Sequence, residues 1–156
     1  MDIYFIDIMN TKFEMAYRFN NPRYNVLPIN DQRGIFPVSK DIALQAWRML
    51  FGDHVNHIAE ISAGSPINLE LIENTEVDSD SIESGTESLR DTLLPGNNLV
   101  LVLWSKEIAA LTLSSIFTTY WDDFCYPGDD IVVWHEGEKI VLYSEGTFKG
   151  YTVANE

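Results

Sequence analysis

The pattern that most restricts the fold lies between residues 113 and 143. Leu113, Ile116, Phe117, Tyr120, Trp121 and Phe124 recur at i, i+3, i+4, i+7, i+8 and i+11, the spacing of an amphipathic helix with a broad apolar stripe. Tyr126-Pro127-Gly128-Asp129 follows and predicts a type II turn, with Pro fixing φ at the second position and Gly allowing positive φ at the third. Residues 131–135 and 139–143 then form a hairpin across Glu136-Gly137-Glu138, because both runs are β-branched and apolar. A helix feeding a hairpin through a tight turn leaves few fold classes open.

Upstream segments fit the same class. Leu99-Val100-Leu101-Val102-Leu103-Trp104 is continuously apolar, which predicts a central strand covered on both faces. Ser39 is placed as an N-cap with Asp41 in the first turn, and Ile42, Ala46, Trp47 and Leu50 keep helical spacing up to Gly52. Residues 3–9 read as a strand, as do 57–61 and 67–72 around Gly64-Ser65-Pro66, and 147–153 add another. Residues 11–20 are ambiguous, with Phe13, Ala16 and Tyr17 at helical spacing. Pro22, Pro28, Gly34 and Pro37 make 20–37 a connection with little regular structure. The expectation is a single α+β domain over residues 1–156, a largely antiparallel sheet with helices packed on it and a C-terminal helix-turn-hairpin.

Charge narrows the partners. The chain has 24 acids against 10 bases among 156 residues, a net charge of −14. Glu70, Glu73, Glu76, Asp78, Asp80, Glu83, Glu87 and Asp91 stand against Arg90 alone. Asp122, Asp123, Asp129, Asp130, Glu136 and Glu138 have no base among them. Phosphate binding needs clustered Lys and Arg, so nucleic acid and anionic membrane surfaces are excluded as partners. No apolar run reaches the length of a membrane span. The first residues lack the basic start of a secretory signal. One cysteine fits a reducing cytosol, so a cytoplasmic location is expected. Residues 74–88, polar and acidic, read as a mobile segment or a weakly amphipathic helix. The acidity either keeps the protein soluble or meets a basic protein partner.

The chemistry candidates are few. Asp122 and Asp123 are placed in the last turn of a helix, where the macrodipole disfavours carboxylates, and the turn brings Asp129 and Asp130 nearby. Such a cluster is compensated by turn capping and internal pairing, by a divalent cation, or by a partner. The spacing lacks the D-x-[DN]-x-[DN]-G pattern of a calcium loop, so no metal is expected. Cys125, His135 and Asp130 make a poor nucleophilic set: a cysteine among acids after a helix C-terminus has a raised pKa and is expected to be buried and inert. His54, His57 and Glu60 would share a helical face at i, i+3 and i+6, without forming H-E-x-x-H. Neither a nucleotide-binding glycine motif nor a G-x-S-x-G elbow is present. Catalytic residues and cofactors are therefore expected to be none.

The stretch Tyr120-Trp121-Asp122-Asp123-Phe124-Cys125-Tyr126-Pro127-Gly128-Asp129-Asp130 resembles the signature of a family of small gammaproteobacterial proteins defined as a domain of unknown function. There a helix ends in W-D-D-F, and Y-P-x-D-D leads into an antiparallel hairpin followed by a Tyr and a Glu, here Tyr143 and Glu145. Similar helix-turn-hairpin endings occur in small acidic immunity proteins that neutralise bacterial toxins. The resemblance implies a small soluble bacterial protein and brings no catalytic residues with it. The resulting expectation is a non-catalytic, immunity-like or inhibitory protein that covers a basic partner. Asp122, Asp123, Asp129, Asp130, Glu83 and Glu87 are its candidate acidic surface, with Asp129, Asp130, Glu83 and Glu87 exposed. The rival readings are a small enzyme or divalent-metal protein built on the four aspartates, and an accessory domain whose acidity serves solubility alone.

Overall fold

The computed structural model describes residues 12–53, 55–57, 69–76, 81–135 and 139–153, and of 69–76 and 153 the backbone alone. Among the described residues the strands are β1 (Asn25–Val26), β2 (Phe36–Pro37), β3 (Leu69–Glu76), β4 (Leu99–Leu103), β5 (Ala109–Leu113), β6 (Ile131–His135), β7 (Lys139–Ser144) and β8 (Thr147–Val153). Apart from β1 they make one seven-stranded sheet in the order β2-β5-β4-β6-β7-β8-β3. Every neighbouring pair is antiparallel. The helices are α1 (Tyr17–Asn20), α2 (Ile29–Gln32), α3 (Lys40–Phe51), α4 (Ile82–Ser88), α5 (Ser114–Thr119) and α6 (Trp121–Phe124), with a π-helical turn over Leu89–Leu93. The α+β class holds.

The apolar run at 99–103 explains the layering. Alternate residues of a strand face opposite sides of its sheet, and here both sides are covered. Leu101, Leu103, Val132, Trp134, Ile140 and Leu142 pack with Ile42, Ala43, Ala46, Trp47, Leu50 and Phe51 of α3. Val100, Val102, Ile131, Val133 and Val141 pack on the other side with Phe117, Trp121, Phe124, Leu89 and Leu93. The helix α3 starts and stops where its residues require. The Ser39 hydroxyl accepts from the Ile42 N–H at 3.2 Å, and Gly52 closes the end at φ +75° with its N–H on the Arg48 carbonyl. Among the described residues no helix is long and apolar enough to cross a membrane.

Several expectations are corrected. Residues 109–113 are a strand, so Leu113 belongs to β5 opposite Leu99 and does not open a helix. Ala-Ala-Leu-Thr-Leu has weak strand character alone; what makes it a strand is pairing with β4. The Ser105 hydroxyl organises the connection by accepting from the Glu107 and Ile108 N–H groups, both at 3.1 Å. The expected long helix over 113–124 is two short ones, broken at Tyr120, which leaves helical geometry at φ −115°, ψ 30°. Phe117, Trp121 and Phe124 still reach one core, so the apolar spacing is kept while the backbone is not.

The segment over 74–88 also differs from expectation. Residues 74–76 continue β3, and α4 begins at Ile82 with the Ser81 hydroxyl accepting from the Ser84 N–H. The connection over 20–37 contains β1, α2 and β2, more regular structure than its prolines suggest. Pro37 lies in a two-residue strand at the sheet edge, where a missing N–H costs nothing. The strand expected at 3–9, most of the one at 57–61, and residues 67–68 of the next lie outside the described residues.

Candidate functional site

The turn after α6 gathers the sequence-marked aspartates. The Asp129 N–H donates to the Tyr126 carbonyl at 2.9 Å, and Gly128 sits at φ +90°, as the type II turn requires. A Cβ built on Gly128 would meet nothing within 4 Å, so glycine is needed there for its backbone freedom and not for space.

Three of the four aspartates have partners within the fold. Arg18, 5% exposed, donates from Nη1 to Asp129 Oδ2 at 2.7 Å and to the Phe124 carbonyl at 2.9 Å. Asp129 Oδ2 also accepts from the Tyr126 N–H at 2.8 Å. The guanidinium lies 3.9 Å from the Tyr126 ring centroid, a cation–π contact. Burial works to lower the Arg18 pKa, but the hydrogen bonds to Asp129 and Tyr17 and the charge of Asp129 outweigh it and raise it. Asp123 is buried and accepts from Asn25 Nδ2 at 2.9 Å, and Asp130 accepts from the Ser144 hydroxyl at 2.6 Å. Burial raises the Asp123 pKa, the Asn25 hydrogen bond opposes that, and the Asp122 charge adds to it.

The expectation that Asp129 and Asp130 are exposed is therefore corrected, because both are half-buried and engaged. The dipole argument is corrected as well. Asp122 and Asp123 occupy a four-residue helix that starts afresh after Tyr120, too short to build an appreciable dipole. Among the described residues, no group of three or more His, Cys, Asp or Glu is placed to hold a metal ion.

Asp122 is the exception. It has no ion pair among the described residues and lines a cleft of about 500 Å³ with Ile82, Trp121, Cys125, Tyr143 and Glu145. Burial raises its pKa, with its own backbone N–H partly opposing the rise. The walls are positioned tightly. A Cβ at Gly85 would lie 2.7 Å from the Trp121 ring, so only glycine lets α4 approach the indole. The Trp121 Nε1 donates to the Ile82 carbonyl at 3.2 Å.

Glu145 forms the opposite rim. With Gly146 it makes a two-residue hairpin between β7 and β8 in which both residues have positive φ, +52° and +75°. That geometry is type I′-like and favours Asn or Gly at the first position; a glutamate there is strained by about 1 kcal/mol. Tyr143, only 4% exposed, lines the cleft, and its hydroxyl has no hydrogen-bond partner among the described residues. Burial, followed by the charges of Cys125 and Asp129, raises its pKa.

Cys125 is buried, and that burial, with Asp129 and Asp122, pushes its thiol well up against a smaller opposing effect of Arg18. It is a poor nucleophile. His57 lies beyond the end of α3 at Phe51 and not on a helix; His54 and Glu60, the other members of the expected ligand face, lie outside the described residues. Glu83 and Glu87 are exposed on α4, whose residue Ile82 forms the cleft lip. Residue spacing alone does not bring Tyr143 and Glu145 to this site. Their one sequence signal is the position they share with the Tyr and Glu of the resemblance.

No family model, curated protein or solved structure matches this chain.

Proposed function

We propose that this protein is a non-catalytic, cytoplasmic bacterial protein that acts by covering a basic protein partner, in the manner of an immunity or inhibitory protein. The observation that carries the reading is the division among its acids. Asp123, Asp129 and Asp130 are used by the fold, whereas Asp122 has no counterion among the described residues and sits beside an apolar cleft. Glu83 and Glu87 add exposed charge on the helix that borders it. A surface of this sign repels nucleic acid and anionic membranes and steers a basic protein into register. The buried Cys125 thiol with its raised pKa argues against nucleophilic chemistry at the same place. The likeness to acidic immunity proteins supports the same function.

The test begins with capture of a partner from bacterial extract on the immobilised protein, followed by its purification and kinetics. Association is expected to slow about tenfold as salt rises through the physiological range. Glu83→Gln together with Glu87→Gln should slow it about threefold at low salt and leave the fold unchanged. An association rate indifferent to both salt and these substitutions would mean that the acidity serves solubility alone.

A further inference from the structure

We propose that the cleft between α6 and the β7–β8 hairpin is the receptor for a single arginine side chain of the basic partner. The inference rests on the reading above and specifies where the partner is held. Three features of the cleft select this occupant. Its walls are largely apolar, with Trp121, Ile82 and Pro127 able to cover the methylene stem that a long basic side chain carries. Its rim holds two carboxylates, Asp122 and Glu145, neither joined to a cation among the described residues. Its wall holds Tyr143, a residue 4% exposed whose hydroxyl has no hydrogen-bond partner among the described residues. A phenol oxygen with no protein partner is free to accept a hydrogen bond from a ligand donor.

The cation is a guanidinium and not an ammonium for a physical reason. Two carboxylates and a phenol are three acceptors spread around an apolar space. A planar group with five donors and weak hydration meets them with less desolvation than a compact, strongly hydrated ammonium. The strained backbone at Glu145, φ +52°, is consistent with a side chain kept at a position where Asn or Gly folds more easily. The fold also shows its own precedent on the other side of the turn, where Arg18 is held between Asp129 and the Tyr126 ring.

The probe is N-acetyl-arginine amide, titrated into the isotopically labelled full chain and followed by the amide signals of Gly128 and Gly146 and the Trp121 indole N–H. Saturable shifts at these three are expected, with N-acetyl-lysine amide at least threefold weaker and the norleucine analogue producing none. Asp122→Asn and Glu145→Gln should each weaken the arginine probe about tenfold. Tyr143→Phe, which keeps the ring and the core, should weaken it about fivefold. Glu83→Gln with Glu87→Gln should leave probe affinity unchanged while slowing the captured partner. No saturation by the arginine probe, or equal affinity in the Asp122 and Glu145 variants, would overturn the inference and leave the acidic-surface reading standing. Probe binding alongside a partner whose association ignores salt would do the reverse.

Discussion

The two sides of the turn at Tyr126–Asp129 hold similar residues for opposite ends. On one side a carboxylate, a tyrosine ring and an arginine are closed on each other: Asp129, Tyr126 and Arg18. On the other a carboxylate and a tyrosine, Asp122 and Tyr143, line a cleft, and no cation among the described residues pairs with Asp122. Charge count alone treats Asp122 and Asp129 as one cluster. Burial and partners separate them: one acid is part of the fold's own wiring, while the other is retained at a cost.

That contrast is broken or sharpened by substitution, beginning with the closed side. Asp129→Asn leaves the Arg18 cation buried without its counter-charge, so a loss of about 2–3 kcal/mol is expected in urea denaturation, since Asp129 itself keeps some solvent contact. A loss near zero would place Asp129 with the free acids. Gly128→Ala should cost about 1 kcal/mol through positive φ alone, because the space for a Cβ is open. On the cleft side the sign reverses. Glu145→Asn suits the positive-φ turn and should gain about 0.5 kcal/mol in the denaturation midpoint, and a loss would mean that Glu145 is held by the fold after all.

How much of this was legible depends on how local each signal is. Ser39 and Gly52 bound α3 because caps act within one turn of chain. The Pro127-Gly128 turn and the hairpin of β6 and β7 are likewise written in neighbouring residues. The run 99–103 announces its two covered faces because every residue is apolar. By contrast, β5 is a strand only because β4 lies beside it, and the break at Tyr120 coincides with long-range bonds. The Tyr120 hydroxyl donates to Asp31, which, with burial and the Asp123 charge, pushes that hydroxyl up to about 12. Arg90 holds Thr118 and Thr119 just before the break. The site follows the same rule. Its acidic residues were visible, but the partner of Asp129 is 111 positions away in the chain, and no spacing argument reaches that far.

Asp122 gives the smallest effect and the most direct test. Its folded-state pKa is raised by burial above the ordinary aspartate value of 3.8. A folded chain that holds this proton more tightly than the unfolded one is favoured at low pH, and it loses stability as pH rises from the unfolded pKa through the folded one. At neutral pH the charge therefore costs stability. The urea midpoint of Asp122→Asn, compared with the parent from acid to neutral pH, should be higher at neutral pH. The gain should shrink as pH falls through the raised Asp122 pKa, where the parent carries its own proton. A lower midpoint for Asp122→Asn at neutral pH would show that this carboxylate stabilises the fold as Asp129 does, and would contradict the division of roles on which the proposed site rests.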